Sequence, residues 1–144
     1  MIAVIRISGM VDVPGHIQEA LFRLRVRRKY SIVLIHPTKE NIKLLKKLRD
    51  YIAYGDIDPK TLELLIEKRA EAISSPKGNK EKIDVKKIVE GIQKKNLSEL
   101  GIKPFFRLHP PIGGIDSKKH FGVSSKAVLG DNKEKINDLI RRML

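Results

Sequence analysis

Apolar side chains crowd the start of the chain, Ile2-Ala3-Val4-Ile5-Arg6-Ile7-Ser8, with Arg6 and Ser8 as the interruptions. A short run this rich in β-branched residues predicts a buried strand. Gly9 and Val13-Pro14-Gly15 punctuate a loop. From about 15 to 28 the pattern becomes helical, with Ile17, Ala20, Leu21 and Leu24 on one face. Ser31-Ile32-Val33-Leu34-Ile35-His36 predicts a second strand, so apolar that it must be central or covered by helices. Pro37 stops it, and Thr38 suits the N-cap of a helix over about 39–52 whose buried face is Leu44, Leu45, Leu48 and Ile52. Strand, helix, strand, helix makes residues 1–58 an α/β core.

A helical addition follows over 59–103. Residues 60–73 place Leu62, Leu65, Ile66 and Ile73 inward, and a polar, breaker-rich linker spans 74–82. Asp84 caps a helix with the stripe Val85, Ile88, Val89 and Ile92, and a short turn over 97–100 ends at Gly101. The last section, 104–144, opens with the strand-like Pro104-Phe105-Phe106-Arg107-Leu108-His109, closed by Pro110-Pro111. A Gly- and Lys-rich loop covers 112–122, and 126–129 is a further extended piece. The final helix begins with Asp131 and Glu134 in capping-box spacing and buries Ile136, Leu139, Ile140 and Met143.

Charge changes the picture more than composition does. The 144 residues are 41% hydrophobic, enough for a real core, yet 30 Lys and Arg stand against 17 Asp and Glu, a net +13. Such an excess repels itself unless a polyanion screens it, and nucleic acid is the usual one. A surface adapted to high salt or heat is the plainer alternative. There is no Cys, and no apolar run nears the roughly 20 residues that cross a bilayer. A cytoplasmic location without membrane contact is therefore expected.

The positive charge falls in three places. Arg23, Arg25, Arg27, Arg28 and Lys29 cluster over 23–29, three of the five around the end of the first helix. Arg there can fork onto phosphate, although cations also suit a helix C-terminus for structural reasons. Lys39, Lys43, Lys46 and Lys47 form one side of the second helix, either a solvated face or a phosphate-facing one. Arg107, His109, Lys118, Lys119, His120 and Lys126 flank Gly113-Gly114 and Gly122, as in a basic loop that follows an RNA surface. Phe22 and Val26 lie opposite the presumed core face of the first helix. Either the 60–101 segment covers them, or they meet RNA bases or another protein.

Reactive constellations are missing. His16, His36, His109 and His120 lack zinc-site spacing, and Gly113-Gly114-Ile115-Asp116-Ser117-Lys118-Lys119 lacks the spacing of a phosphate loop. No nucleophile elbow, dinucleotide turn or Cys nucleophile is present. No catalytic residue, metal, cofactor or small-molecule substrate is expected.

Several stretches in order resemble a known family. Gly9-x-x-x-Val13-Pro14 leads to Ala20-Leu21-Phe22-Arg23-Leu24-Arg25. His36-Pro37-Thr38 precedes Asp50-Tyr51-Ile52-Ala53-Tyr54-Gly55-Asp56-Ile57-Asp58. Later come Gly101-Ile102-Lys103-Pro104-Phe105-Phe106-Arg107-Leu108-His109-Pro110-Pro111-x-Gly113-Gly114 and Ile136-Asn137-Asp138-Leu139-Ile140-Arg141-Arg142-Met143. Together these resemble the archaeal large-subunit ribosomal proteins of the L-thirty family, whose eukaryotic relative is L-seven.

The resemblance implies an α+β fold, a small ferredoxin-like βαβαβ sheet with helices packed on it and an added helical segment. Residues 105–108 would return as its third strand, antiparallel to the first two. It also implies a structural constituent of the large ribosomal subunit that holds ribosomal RNA, with 5S RNA as a candidate partner beside neighbouring ribosomal proteins. Ile112 stands where the family has Arg, which weakens an RNA contact there, and Lys43-Leu44 replaces a Gly-Met pair. A free RNA-binding regulator outside the ribosome is the alternative. It would not stay with large subunits through washing.

Overall fold

β1 (Ile2–Arg6) is buried at every position. Its side chains alternate between two cores, as a strand's period of two requires: Ala3 and Ile5 enter one, Ile2 and Val4 the other. A strand buried on both faces needs a layer on each. The computed structural model describes residues 1–73, 88, 89, 91, 92 and 97–144, and it contains both layers. On one face α1 (Gly15–Arg23) and α2 (Lys39–Leu48) bring Leu21, Leu45 and Leu48 against Ile2, Val4, Val33 and Ile52. On the other, α3 (Pro59–Arg69) and the C-terminal helix α4 (Ile136–Met143) bring Leu65, Ile66, Leu139 and Ile140 against Ala3, Ile5, Ile32 and Ala53.

β2 (Ser31–Ile35), β3 (Ile52–Asp56), β4 (Phe106–Arg107), β5 (Asp116–His120) and β6 (Ala127–Asp131) join β1 in one six-stranded sheet, ordered β4-β2-β1-β3-β6-β5. β1 is antiparallel to both β2 and β3, and β2 to β4, whereas β6 runs parallel to β3 and β5. The fold is α+β and ferredoxin-like, as the resemblance implied.

The strand that completes the βαβαβ unit is not the one expected. α2 stops at Leu48, the backbone turns through 49–51, and Ile52 opens β3 instead of closing a helix. Ala53 and Gly55 are poor strand formers, which hides β3 from a propensity reading. Gly55 is needed there, because a Cβ would lie 2.2 Å from the Lys133 carbonyl oxygen. The Phe106–Arg107 strand pairs with β2 alone, Ser31 facing Arg107 and Ile32 facing Phe106. β1 and β2 are antiparallel to each other, so no strand could oppose both.

α1 is shorter than its periodicity suggests. Arg25 adopts a left-handed backbone (φ 63°) and its N–H donates to Phe22 O at 2.9 Å, while Val26 N–H donates to Leu21 O at 3.1 Å. These two bonds are the Schellman closure of a helix, usually built on Gly. The turn carries Val26 out of the helix and into the α1–α2 core, fully buried, in a cluster that includes none of the described residues of the 60–101 segment. Phe22 stays 37% exposed, with the Arg27 guanidinium 5.8 Å from its ring centroid.

Other expectations divide. Thr38 caps α2, its Oγ1 accepting from Asn41 N–H at 3.2 Å. Ile88 and Ile92 are buried as their stripe implied, while Asp84, Val85 and the 74–82 linker lie outside the described residues. Ile73 is 53% exposed, not inward, because the chain leaves α3 at Ala70 and its 71–73 backbone bonds to 101–103. Within the supposed 112–122 loop lies the edge strand β5. Its Lys-rich sequence has no apolar alternation, a common guard on an exposed sheet edge. A 3-10 turn, Lys133–Lys135, precedes α4, and Asp131 Oδ1 accepts from Lys133 N–H at 3.0 Å in place of a full capping box.

Candidate nucleic-acid interface

The α1–β2 loop owes its shape to a residue that sequence reasoning passed over. Arg6 ends β1 with 0% of its surface exposed, in a strand that otherwise carries only apolar side chains. A buried guanidinium is costly unless its donors are satisfied. Here Nε donates to Ser8 O at 3.0 Å, Nη2 to Gly9 O at 2.7 Å, and Nη1 to both Val26 O at 3.1 Å and Arg27 O at 2.9 Å. Burial pulls its pKa below the ordinary guanidinium value. The signal was available, since a charge inside an apolar strand seldom lacks a partner.

Held this way, Arg25, Arg27, Arg28 and Lys29 are all exposed. None of the four forms an ion pair among the described residues, so they differ from the interleaved charges of an ordinary solvated face. Tyr30, also left-handed at φ 63°, closes the loop by donating its N–H to Arg6 O at 2.8 Å. The Lys29 ammonium lies 5.0 Å from the Tyr30 ring centroid. The β2–β4 pairing sets Arg107 beside this loop, opposite Ser31, with Leu108 N–H donating to Tyr30 O. Arg23 is drawn to Glu19 at 2.5 Å on its own helix. Arg23, Arg25 and His36 also line a cleft of about 460 Å³ beside β2.

α2 and β5 supply a second basic area. Lys39, Lys43, Lys46 and Lys47 are exposed along α2, whose opposite side buries Leu45 and Leu48. At its C-terminal end His120 Nε2 lies 2.9 Å from Asp50 Oδ1. A cleft of about 490 Å³ there is lined by Lys46, Arg49, Tyr54, His120, Phe121 and Asp131. The Tyr54 phenol is pushed above its ordinary value by burial first and the Asp131 charge second, with Arg49 opposing. Lys118 and Lys126 are exposed nearby, while Lys119 bonds Asp116 at 3.1 Å.

The expected single basic region over 107–126 is thus divided. β4 and β5 occupy opposite edges of the sheet, five strand spacings or roughly 24 Å apart. Arg107 joins the α1–β2 loop, and Lys118, Lys119, His120 and Lys126 join the side where α2 ends. His109 is tied through its N–H to Met143 O. Arg142, not among the expected residues, holds the 112–114 turn through Ile112 O at 2.8 Å and Gly114 O at 2.6 Å. Among the described residues no group of three or more His, Asp or Glu is placed to hold a metal, and no helix is long and apolar enough to cross a membrane.

A layered α+β sheet that displays, on one fixed loop and one helix face, Arg and Lys without ion-pair partners among the described residues defines a class: small basic α+β proteins. The chain is 40% identical to the large ribosomal subunit protein uL30 of Nanoarchaeum equitans, over 99% of this chain and 97% of that protein. It is 35% identical to the uL30 proteins of Aeropyrum pernix and Methanococcus maripaludis, in each case over 99% of this chain and 98% of the relative. It belongs to the uL30 family of large ribosomal subunit proteins. No family model matches the chain.

Proposed function

We propose that this chain is a structural constituent of the large ribosomal subunit, in the cytoplasmic ribosome, that binds and stabilises folded ribosomal RNA through phosphate contacts of its Arg and Lys side chains. Family membership supports the place in the subunit, and the role is structural, not enzymatic. One observation carries the RNA contact: four exposed cations, Arg25, Arg27, Arg28 and Lys29, on a loop whose backbone is already fixed, with no ion pair to any of them among the described residues. Arg107 extends that surface. Lys39, Lys43, Lys46, Lys47, Lys118, Lys119, His120 and Lys126 form the second contact area, and 5S RNA and neighbouring ribosomal proteins are further partners.

Physically, each guanidinium or ammonium set on a phosphate releases a condensed counterion, so affinity falls as salt rises. Arg favours two oxygens of one phosphate because its donors form a planar fork. The test is the triple change Arg25→Glu, Arg27→Glu and Arg28→Glu, assayed on deproteinised large-subunit RNA and, separately, on 5S RNA. All three side chains are exposed, so the fold should survive. Binding to large-subunit RNA should weaken by about 100-fold or more, and the slope of log affinity on log salt should fall by about three. Unchanged affinity would remove the loop from the interface.

A further inference from the structure

We infer that Arg6 is a positioning residue for RNA binding: buried beneath the 25–29 loop, it fixes the loop in its binding shape before RNA arrives. The inference rests on the proposal that this loop contacts RNA. With 0% exposure, Arg6 cannot touch a phosphate itself. What it touches is backbone on both sides of the strand end: Ser8 O and Gly9 O in the β1–α1 loop, Val26 O and Arg27 O in the α1–β2 loop. One planar group thereby staples two loops, and only Arg carries enough donors in fixed directions to do so.

The rest of the loop agrees with a shape set in advance. Left-handed residues, Arg25 and Tyr30, mark its two ends. Val26 N–H is bonded to Leu21 O, Tyr30 N–H to Arg6 O, and Ser31 N–H to Arg28 O, which leaves little freedom between them. Side chains borne on such a backbone need less ordering when a ligand binds, and that preorganisation appears directly as affinity. Because every acceptor of Arg6 is a main-chain carbonyl, changing the loop side chains leaves the staple intact. The two contributions are separable.

The experiment compares the full-length protein, Arg6→Lys, the double change Arg27→Ala with Arg28→Ala, and all three changes together. The readouts are affinity for deproteinised large-subunit RNA over a salt series and thermal unfolding of the free proteins. Lys keeps the charge but cannot fork across both loops. Arg6→Lys should lose about tenfold in affinity at about 0.15 M salt, and its salt slope should fall by about two although no exposed charge has been removed. Added to the double change, it should cost less than it does alone, because two of the four cations it positions are gone.

Arg6→Lys binding with the parental affinity and slope, even at a lowered unfolding temperature, would reduce Arg6 to a fold residue and overturn the inference. If the double change itself leaves binding untouched, the RNA contact of the loop fails and the inference falls with it. Should Arg6→Lys not fold, amide exchange on the unaltered protein decides. Val26, Tyr30 and Ser31 should be protected without RNA, and protection that develops only after RNA is added would contradict a prearranged loop.

Discussion

Replacing Arg25 by Gly should strengthen the fold and weaken RNA binding, an opposition of signs that few surface substitutions produce. Arg25 sits at the left-handed position of the α1 closure, φ 63°. An L-residue held there costs about 1–2 kcal/mol. Gly escapes that penalty but has more freedom to lose on folding, which returns roughly 0.5–1 kcal/mol. The net gain is about 0.5–1 kcal/mol, a rise of roughly 1–4 °C in the unfolding midpoint for a chain this size. The hydrogen bonds of the closure are main-chain and survive.

Binding should move the other way. Loss of one charge-assisted phosphate contact is worth about 1.5 kcal/mol, roughly tenfold in affinity, with a drop of about one in the salt slope. Arg25→Ala serves as the control, because it keeps the backbone strain and removes the side chain. Its midpoint should match the parent and its affinity should match the Gly variant. Thermal unfolding by circular dichroism and filter binding to large-subunit RNA measure both. A Gly variant that melts lower than the parent, or binds RNA as tightly, would refute the reasoning.

Other substitutions probe the frame behind the interface. Gly55→Ala drives a Cβ to 2.2 Å from Lys133 O and 3.0 Å from Ile136 Cβ, so α4 must shift; urea unfolding should register a loss of about 2–3 kcal/mol, and a parental midpoint would show that the approach is not tight. Asn137→Leu strands the Asp58 N–H, which Oδ1 accepts at 2.9 Å, and frees Asp56 O from a 3.0 Å bond, at a cost of about 2–4 kcal/mol that equilibrium unfolding would detect. Thr38→Ala removes the α2 cap and should cost about 1 kcal/mol with RNA affinity unchanged; a matching loss of affinity would place Thr38 in the interface.

Much of the frame was legible from the chain because local chemistry and tertiary packing agreed. Thr38 follows a proline-stopped strand and caps as expected. The Ile136, Leu139, Ile140 and Met143 spacing can bury only one helix face, and all four are buried. Elements were missed where a tertiary demand overrode the local pattern. β3 carries Gly55 because Lys133 and Ile136 crowd that position, and with Ala53 beside it the small residues resemble a turn. The end of α1 was hidden because Arg25 occupies a position where Gly would have announced the stop. β5 looked like a loop because an edge strand can be polar on both sides.

The residue types of the proposed interface are visible in one dimension as an excess of Arg and Lys. Their grouping is not. Arg107 and Lys118 are close in sequence and lie at opposite edges of the sheet, and strand order alone separates them. Val26 shows the same limit: helical arithmetic placed it outside, and a single left-handed residue sends it into the core.

Photo-crosslinking of large subunits that contain this protein bears most directly on its role. Washed subunits should retain the chain, and irradiation should attach ribosomal RNA nucleotides to residues 25–29, with further adducts on α2 or between 118 and 126. A chain removed by the wash, or one crosslinked only to protein while its basic loop carries no RNA, would contradict the account.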